Sequence, residues 1–439
     1  MVRHCIVQTV LAVLVCLWLP VGAATETIGR PNVLFIAVDD LNDWIGVLGG
    51  HPQSRTPNLD KLAGRGVLFT RVYAAAPACN PSRAALMTGV LPSTSGVYHN
   101  RQPWRPALPE AVTIPQYFMA HGYWAGGSGK IYHDRYPDPL SWNEFFPSKT
   151  QQRPIDPLPE QRPISGIPNT AHFDWGPVDV NDDEMGDSQV ADWVIEQLNR
   201  KHDRPFFLAC GMYRPHLPWY VPRKYFEMFP LGSVVLPYVP DDDLDDVPLA
   251  GKKMAQPETD HRTVQQYGQW HKAVQGYLAS ITFSDAQVGR VINALDRSEY
   301  ADNTIVVLWT DHGWHLGEKH HWRKFALWEE ATRTPMIWVV PPGLKALPRG
   351  TRAGSRCDEA VGLTDIYPTL VQLCGLKPRA LEGESLVLLL SKPGASREHP
   401  ALTTHGRNNH AIRDERWRYI RYADGCAPRW RRREAMMVT

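Results

Sequence analysis

The chain has 439 residues, a length that suits one large catalytic domain with a smaller appendage. Its 47 lysine and arginine residues balance 46 aspartate and glutamate residues, which argues against a nucleic-acid-binding or membrane-surface protein. Seven cysteines are too few for a disulfide-rich scaffold of this size.

Residues 1–23 have the features of an export signal. Arg3 precedes an apolar stretch from Cys5 to Leu19, and residues 21–23 are small residues suited to cleavage. The stretch is shorter than the about 20 apolar residues that a membrane span needs, so an uncleaved anchor is the less favoured alternative. We therefore predict an exported protein, periplasmic or extracellular, with no stable membrane span.

Apolar runs and helix signals alternate along the rest of the chain. Buried strands are predicted at 31–40, 123–130, 205–210, 304–310 and 334–340. Helices are predicted from residue 56 and at 81–90, 113–122, 189–199, 264–295 and 364–373, the last capped by Gly375. The stretches 134–180 and 212–262 are predicted to be loops, and the acidic run 241–246 receives no function.

This alternation predicts an α/β fold in which helices cover both faces of a large, mostly parallel sheet. We assign residues 24–375 to a catalytic core. Residues 376–439 contain fewer clear elements and are assigned to a smaller C-terminal α+β subdomain.

Acidic residues follow two of the predicted strands. Asp39 and Asp40 end the first strand, and Asp311 and His312 follow the strand at 304–310. Functional groups of parallel sheets collect outside the carboxyl ends of the strands, and crowded carboxylates repel one another unless a cation lies between them. These oxygen ligands suit calcium or magnesium, although His312 would be an unusual calcium ligand. Taken alone, an Asp-Asp pair after a strand is more often a turn or a helix N-cap.

The segment 79–83 reads Cys-Asn-Pro-Ser-Arg, and residues 84–89 continue it as AALMTG. A lone cysteine before a helix is either a buried small residue or a thiol of lowered pKa. The C-x-P-S-R pattern is more specific, and through it the sequence resembles the type I sulfatases of the alkaline phosphatase superfamily. The resemblance implies that a separate enzyme reads C-x-P-x-R and oxidises Cys79 to formylglycine. It also implies that Arg83 holds the formylglycine region and the charge beside the metal.

A formylglycine would explain how such an enzyme turns over. Its hydrated aldehyde has two hydroxyl groups on one carbon: one attacks sulfur, and the other then loses its proton and expels sulfate as the aldehyde re-forms. The resemblance implies Ca²⁺ as the cofactor, with Mg²⁺ less favoured, to polarise the sulfate oxygens. The metal site that it implies consists of Asp39, Asp40, Cys79 as formylglycine, Asp311 and His312.

The resemblance also assigns the remaining basic residues of the catalytic set. Lys130 and Lys324 would bind sulfate oxygens, and His133 would help to deprotonate the hydrated aldehyde. His216 matches the histidine that contacts the bridging oxygen, so it is a candidate general acid for the leaving alcohol. The adjacent histidines at positions 320 and 321 have no such match and are predicted to lie on the surface.

The local sequences around Asp39, Lys130, His216 and Asp311 resemble those of the iduronate-2-sulfatase branch of the family. The resemblance covers about residues 31–422. It implies a sulfated polysaccharide or oligosaccharide as substrate and a formylglycine-generating or sulfatase-maturating enzyme as partner, with no nucleic acid. Two alternatives stay open: a phosphoesterase or phosphonate hydrolase of the same superfamily, and an inactive polysaccharide-binding homologue.

The C-terminal end departs from the family pattern. Relatives continue past residues 418–422 with an acidic Glu-Leu-Tyr-Asp-like stretch, whereas this chain continues with the basic residues 429–433. We predict a frameshift or truncation that leaves the C-terminal subdomain incomplete. A genuine basic tail is the alternative, and every predicted site residue lies upstream of it.

Overall fold

The computed structural model describes residues 29–170, 172–423 and the backbone of 429–432. The predicted export signal therefore lies outside the described residues, as do the side chains of the basic residues 429–433. Within the described ranges, no helix is both long enough and apolar enough to cross a membrane. Cys79, Cys210, Cys357 and Cys374 are free cysteines.

The strands belong to one large sheet and three small ones in the described part of the chain. In chain order they are β1 Asn32–Val38, β2 Val67–Tyr73, β3 Trp124–Gly129, β4 Glu144–Phe146, β5 Trp175–Val178, β6 Phe206–Met212, β7 Trp219–Pro222, β8 Thr304–Thr310, β9 His315–Leu316, β10 Trp322–Arg323, β11 Arg333–Val339, β12 Ser355–Cys357, β13 Val361–Gly362, β14 Ala401–Thr404, β15 His410–Arg413, β16 Trp417–Arg421 and β17 Arg429–Arg432.

The large sheet has nine strands in the order β12-β2-β11-β8-β1-β6-β3-β4, with β13 also paired to β2. β11 is antiparallel to both of its neighbours, and every other pairing in this sheet is parallel. The predicted α/β fold with a mostly parallel sheet is therefore confirmed. The strands β14 to β17 form a separate antiparallel sheet at the C-terminal end.

Helices alternate with the strands of the core. They are α1 Pro57–Ala63, α2 Cys79–Thr88, α3 Pro92–Ser95, α4 Trp104–Ala107, α5 Ile114–Ala120, α6 Gly186–Asn199, α7 Arg223–Glu227, α8 Leu249–Ala255, α9 Asp260–Gln266, α10 Trp270–Arg297, α11 Glu329–Thr332, α12 Ile366–Leu373 and α13 Val387–Ser391.

Both faces of the large sheet are buried, which explains the continuous apolar run in β1. Leu34, Ile36 and Val38 pack into the cluster that contains α1, α6 and α10. Val33 and Phe35 point to the opposite face and pack with α2, α5 and α12. Successive side chains of a strand alternate between faces, so a strand covered on both sides must be apolar throughout.

Two predictions of local structure were wrong, and one strand was missed. The helix predicted over 264–295 is two helices, α9 and α10, because the chain reverses locally at Gly268, where φ is +59°. The strand β2 was not predicted, although its sequence VLFTRVY is rich in β-branched and aromatic residues. The predicted loop 212–262 contains the strand β7 and the helices α7 and α8.

Candidate functional site

The acidic residues meet at one edge of the large sheet because β1 and β8 are parallel neighbours. Val38 pairs with Thr310, so Asp39 and Asp40 on one strand end beside Asp311 on the other. The backbone N–H of Asp40 donates to Oδ1 of Asp311 at 3.1 Å. All three carboxylates are fully buried. The structure therefore brings together the three acids that the sequence places at separate strand ends.

The basic residues Lys130 and His216 come from the next two strands along the same edge. Lys130 directly follows β3, and His216 lies in the loop after β6. Glycines let the two strand ends approach, since a Cβ on Gly129 would lie 2.0 Å from the carbonyl oxygen of Gly211. The N–H of Lys130 donates to that carbonyl at 2.9 Å. The segments that follow the two strands thus bring Lys130 and His216 to the same pocket.

Cys79 is the first residue of α2, and its side chain points at this edge. Its Sγ lies 2.9 Å from Nζ of Lys324, 3.3 Å from Nε2 of His312 and 3.9 Å from Nζ of Lys130. Burial raises the pKa of the Cys79 thiol, although Lys130 and Lys324 oppose that rise. The environment therefore does not favour a thiolate nucleophile, which distinguishes Cys79 from an ordinary reactive cysteine.

Arg83 lies one helical turn further along α2 and forms ion pairs with Asp39 and Asp311. Its Nη2 donates to Asp39 at 2.8 Å and its Nε donates to Asp311 at 2.9 Å. A further nitrogen donates to the carbonyl oxygens of Lys130 and Ile131. The guanidinium is fully buried, so these contacts hold α2 against the ends of three strands.

Two lysines complete the charge balance of the site. Nζ of Lys130 forms an ion pair with Asp39, and Nζ of Lys324 donates to Oδ1 of Asp40 at 2.8 Å. Burial alone would lower the pKa of each lysine, but the pairing with Asp39 and Asp40 raises it instead. Burial would raise the pKa of Asp39, but Lys130 and Arg83 hold it well below its usual value. Both lysines are therefore ammonium ions at neutral pH.

The carboxylate of Asp40 is less well satisfied than its neighbours. Burial raises its pKa to about 7, an effect that Lys324 only partly offsets. Its Oδ2 is buried and has no hydrogen-bond partner. Potential ligand atoms of Asp40, Cys79, Asp311 and His312 lie within 4.8 Å of one another. A buried carboxylate with an unpaired oxygen in such a group is suited to a cation.

A cavity of about 270 Å³ is lined by both predicted lysines, Lys130 and Lys324, and by the predicted histidines His133 and His216. Burial and the nearby Lys130 lower the pKa of His133 to about 4. Burial, Lys130 and Lys324 hold the pKa of His216 well below its usual value. Nδ1 of His216 lies 2.6 Å from the carbonyl oxygen of Leu217, so the neutral ring donates there and leaves Nε2 facing the acids.

His172 is a member of this cavity that the sequence did not identify. Its ring lies 5.2 Å from that of His216, centroid to centroid, and burial lowers its pKa to about 4. Asn100, Asp134, Tyr213 and Arg323 also line the cavity without having been predicted. His172 lies inside the predicted loop 134–180, where no strand or helix end marks it as functional.

The segment 317–325, here called the Lys324 loop, has an unusual backbone. Lys319, Arg323 and Phe325 have φ values of +56°, +71° and +73°, which are uncommon for residues other than glycine. Lys319 is held by an ion pair to Asp243 from the acidic run 241–246. Backbone strain of this kind persists only where surrounding contacts over-determine it, and it is frequent at functional sites.

His321 anchors the Lys324 loop from inside, so its predicted surface position was wrong. Its exposed fraction is only 7%. Nε2 lies 2.7 Å from the carbonyl oxygen of Lys324, and Nδ1 lies 2.7 Å from the carbonyl oxygen of Ala255 at the end of α8. His321 therefore links the backbone of a sulfate-binding candidate to a helix outside the large sheet. His320 is half-buried beside the carbonyl oxygen of Pro240.

Known proteins are similar to this chain in sequence and in fold. A family model described as Sulfatase matches residues 31–376. A protein named Sulfatase from Formosa agariphila is 40% identical over 421 residues, which cover 91% of this chain and 80% of the relative. Human iduronate 2-sulfatase is 32% identical over 399 residues, which cover 81% of this chain and 70% of the relative.

Solved structures with the same fold include a complex with the substrate D-glucosamine-2-N,6-O-disulfate. Its TM-score is 0.72 at 20% identity, with 92% of this chain and 91% of that chain covered. The phosphonate monoester hydrolase of Agrobacterium radiobacter has a TM-score of 0.69 at 24% identity, with coverages of 92% and 89%. At these identities the likeness concerns the fold alone.

The chain has an alkaline-phosphatase-like fold, which gathers a nucleophile candidate, acids and lysines at the carboxyl edge of a large sheet. Within that fold class, the family match over residues 31–376 and the 40% and 32% identities decide the family. The chain belongs to the sulfatase family and is a sulfuric ester hydrolase.

Proposed function

We propose that this protein removes sulfate from a sulfated carbohydrate through a formylglycine made from Cys79, with Ca²⁺ at the adjoining acids. The observation that carries the proposal is the approach of Lys130 and Lys324 to one buried sulfur atom, at 3.9 Å and 2.9 Å. Two ammonium groups and an arginine around one nucleophile form a site for an anion whose charge grows during reaction. Cys79, Arg83, Lys130 and Lys324 are thus proposed as catalytic residues.

The residues present fit a hard cation. Asp39, Asp40 and Asp311 supply only oxygen atoms, and Oδ2 of Asp40 is buried without a partner. These three residues and His312 would hold Ca²⁺, with Mg²⁺ as the less favoured ion. When bound, the ion would act as a Lewis acid toward a sulfate oxygen. The carboxylates meanwhile orient Arg83 and both lysines through the ion pairs described above.

The position of Cys79 suits a nucleophile made by maturation. Formylglycine supplies a hydrated aldehyde, which offers one hydroxyl group for attack and a second for release. Lys324 and His312 contact the atom that would be replaced. His133, whose pKa of about 4 keeps it neutral at physiological pH, is a proposed proton acceptor at the mouth of the site.

The leaving alcohol needs a proton, and His216 is the proposed donor. In the free protein the ring is neutral and Nδ1 donates to Leu217, so Nε2 must gain a proton before it can act as an acid. A bound sulfate ester places negative charge beside Nε2 and favours that protonation. His172, which lies against the same ring, is suited to hold the orientation of His216.

The role of His216 predicts a dependence on the leaving group. In His216→Gln, turnover of a sugar sulfate should fall about 100-fold, because the departing alkoxide is a poor leaving group without a proton. Turnover of 4-nitrophenyl sulfate should fall much less, since its phenolate leaves unaided. Steady-state kcat/KM on both substrates checks this, and equal losses on both would remove His216 from proton donation. Tyr213→Phe, which also changes a residue of the cavity, is the control for altered packing.

The proposed substrate is a sulfated uronate or a related sulfated sugar in an oligosaccharide. The 32% identity to iduronate 2-sulfatase supports that choice. Partners in the cell would be the carbohydrate and a formylglycine-generating or sulfatase-maturating enzyme. We also propose the domain limits 24–375 and 376–439, and export to the periplasm or the cell exterior after removal of residues 1–23.

Peptide mass spectrometry of the Cys79 peptide, paired with a two-substrate assay, tests the proposal. Conversion of the thiol to an aldehyde should lower the peptide mass by about 18 Da in protein from the native host. The modified protein should hydrolyse 4-nitrophenyl sulfate faster than 4-nitrophenyl phosphate, and chelation of calcium should abolish that activity. An unmodified Cys79 in active protein would refute the mechanism, and dominant phosphatase activity would favour the phosphoesterase alternative. A modified protein without activity toward either ester would favour a carbohydrate-binding role.

A further inference from the structure

A second, larger cleft adjoins the catalytic cavity and belongs to no part of the mechanism above. Its volume is about 610 Å³, and it lies between the helices α8 and α9 and the C-terminal sheet. Arg323 and Phe325 of the Lys324 loop line both the cleft and the catalytic cavity. The two spaces therefore lie next to each other and share the wall that these two residues form.

The catalytic cavity alone is small for a polymeric substrate. Its volume of about 270 Å³ is just below the about 300–1,000 Å³ found for ligand pockets, whereas the cleft, at about 610 Å³, is well within that range. A sulfated sugar in the cavity would thus leave the sugar next to it outside. The adjoining cleft is a space of suitable size for that neighbour.

The shared wall has a suitable surface for a sugar ring. Phe325 is 37% exposed although it is apolar, and its φ of +73° holds it in a strained conformation. Its N–H donates to the carbonyl oxygen of Pro77 at 3.0 Å, which fixes the backbone in that conformation. The ring of His405, from the loop after β14, lies 6.3 Å away and has a buried Nδ1 without a partner. An exposed aromatic ring offers an apolar surface to a sugar ring, and ligand sites combine such surfaces with a small number of polar groups.

The charges of the cleft favour an anionic sugar. Arg323 forms an ion pair with Asp260, so the acid of this wall is neutralised. Lys253, on the exposed side of α8, lines the cleft and has no ion-pair partner among the described residues. Asn409 adds an amide to the same wall. The remaining positive charge of the cleft is therefore that of Lys253, which can form an ion pair with a carboxylate or a sulfate group of a ligand.

We infer that this cleft binds the sugar adjacent to the sulfated one and that Lys253 recognises an acidic group on it. The inference rests on the proposed function, because it names the rest of the same substrate. Phe325 would support the ring of that sugar, and Lys253 would pair with its carboxylate or sulfate. The protein would accordingly prefer a sulfated oligosaccharide to the corresponding monosaccharide.

Calorimetry on the Cys79→Ala variant tests the cleft without turnover. A heparin-derived tetrasaccharide with a terminal 2-sulfated uronate should bind about tenfold tighter than the 2-sulfated uronate alone. Lys253→Ala in that background should remove most of the gain, whereas Lys252→Ala, on the same helix but outside the cleft lining, should keep it. Equal affinity for the two sugars, or a gain that survives Lys253→Ala, would overturn the inference.

Sulfate release by the Cys79-containing protein separates this inference from the proposed function. Release from the tetrasaccharide with a higher kcat/KM than from the monosaccharide supports both. Tight tetrasaccharide binding without any sulfate release supports the cleft and refutes the proposed function. Release with equal kcat/KM and equal affinity for the two sugars refutes the cleft alone.

Discussion

Replacing Cys79 by serine should give a protein that reacts once with a sulfate ester and then stops. The serine hydroxyl would lie where Sγ now meets Lys324 at 2.9 Å and His312 at 3.3 Å, so it can attack sulfur. The alcohol leaves with a proton, and sulfate stays as an ester on the serine oxygen. The Cβ of serine has no second hydroxyl group that could lose a proton and expel the sulfate. Steady-state turnover should therefore fall at least about 1,000-fold.

The measurement is the amount of alcohol released at high enzyme concentration. We expect a burst of about one equivalent for Cys79→Ser, with an increase of about 80 Da in the intact mass. Cys79→Ala should give no burst, and Cys374→Ser, which changes a buried free cysteine away from the site, should keep full turnover. Sustained turnover by Cys79→Ser would show that the second hydroxyl group of a formylglycine is not needed for release.

The gathering of acids was predictable because it follows from sheet geometry. Asp39, Asp40 and Asp311 each directly follow a strongly apolar strand, and parallel strands bring such positions to one edge. The sequence alone did not establish that β1 and β8 are neighbours, but the register between Val38 and Thr310 makes the acids adjacent. Lys130 was predictable for the same reason, since it follows β3.

The residues that were missed have no comparable local signal. His172 reaches the cavity from a loop and Arg323 from the two-residue strand β10, and the positions of both depend on distant packing. Arg323, for instance, lies over the ring of Phe173 at 4.3 Å and pairs with Asp260, and neither contact is visible in a local pattern. The buried position of His321 depends likewise on the carbonyl of Ala255, 66 residues away. Long-range contacts of this kind determine the walls of the site, whereas strand ends determine its centre.

Replacing Arg83 by methionine should be the most destabilising single change in the site. The substitution keeps a long side chain but leaves the carboxylates of Asp39 and Asp311 without the nitrogen atoms that now lie 2.8 Å and 2.9 Å away. Removing one partner of a buried ion pair typically costs about 3–5 kcal/mol, because the remaining charge stays buried. Whole domains are stable by only about 5–15 kcal/mol, so the variant should be close to unfolding at 37 °C.

Chemical denaturation in the Cys79→Ala background checks this prediction, because Arg83 also belongs to the maturation motif and both proteins must be unmodified. Arg65→Met is the matched control: both partners of its ion pair with Asp296 at 2.8 Å are 32% exposed, so the free energy of unfolding should fall by about 1 kcal/mol or less. The effect of Ca²⁺ on stability tests whether Arg83 and the cation use the same carboxylates. The loss of one positive charge beside three carboxylates should strengthen cation binding, so Ca²⁺ should stabilise Arg83→Met more than it stabilises the parent. If Ca²⁺ stabilises both proteins equally, Arg83 and the cation do not share the same carboxylates, and the metal must be placed elsewhere.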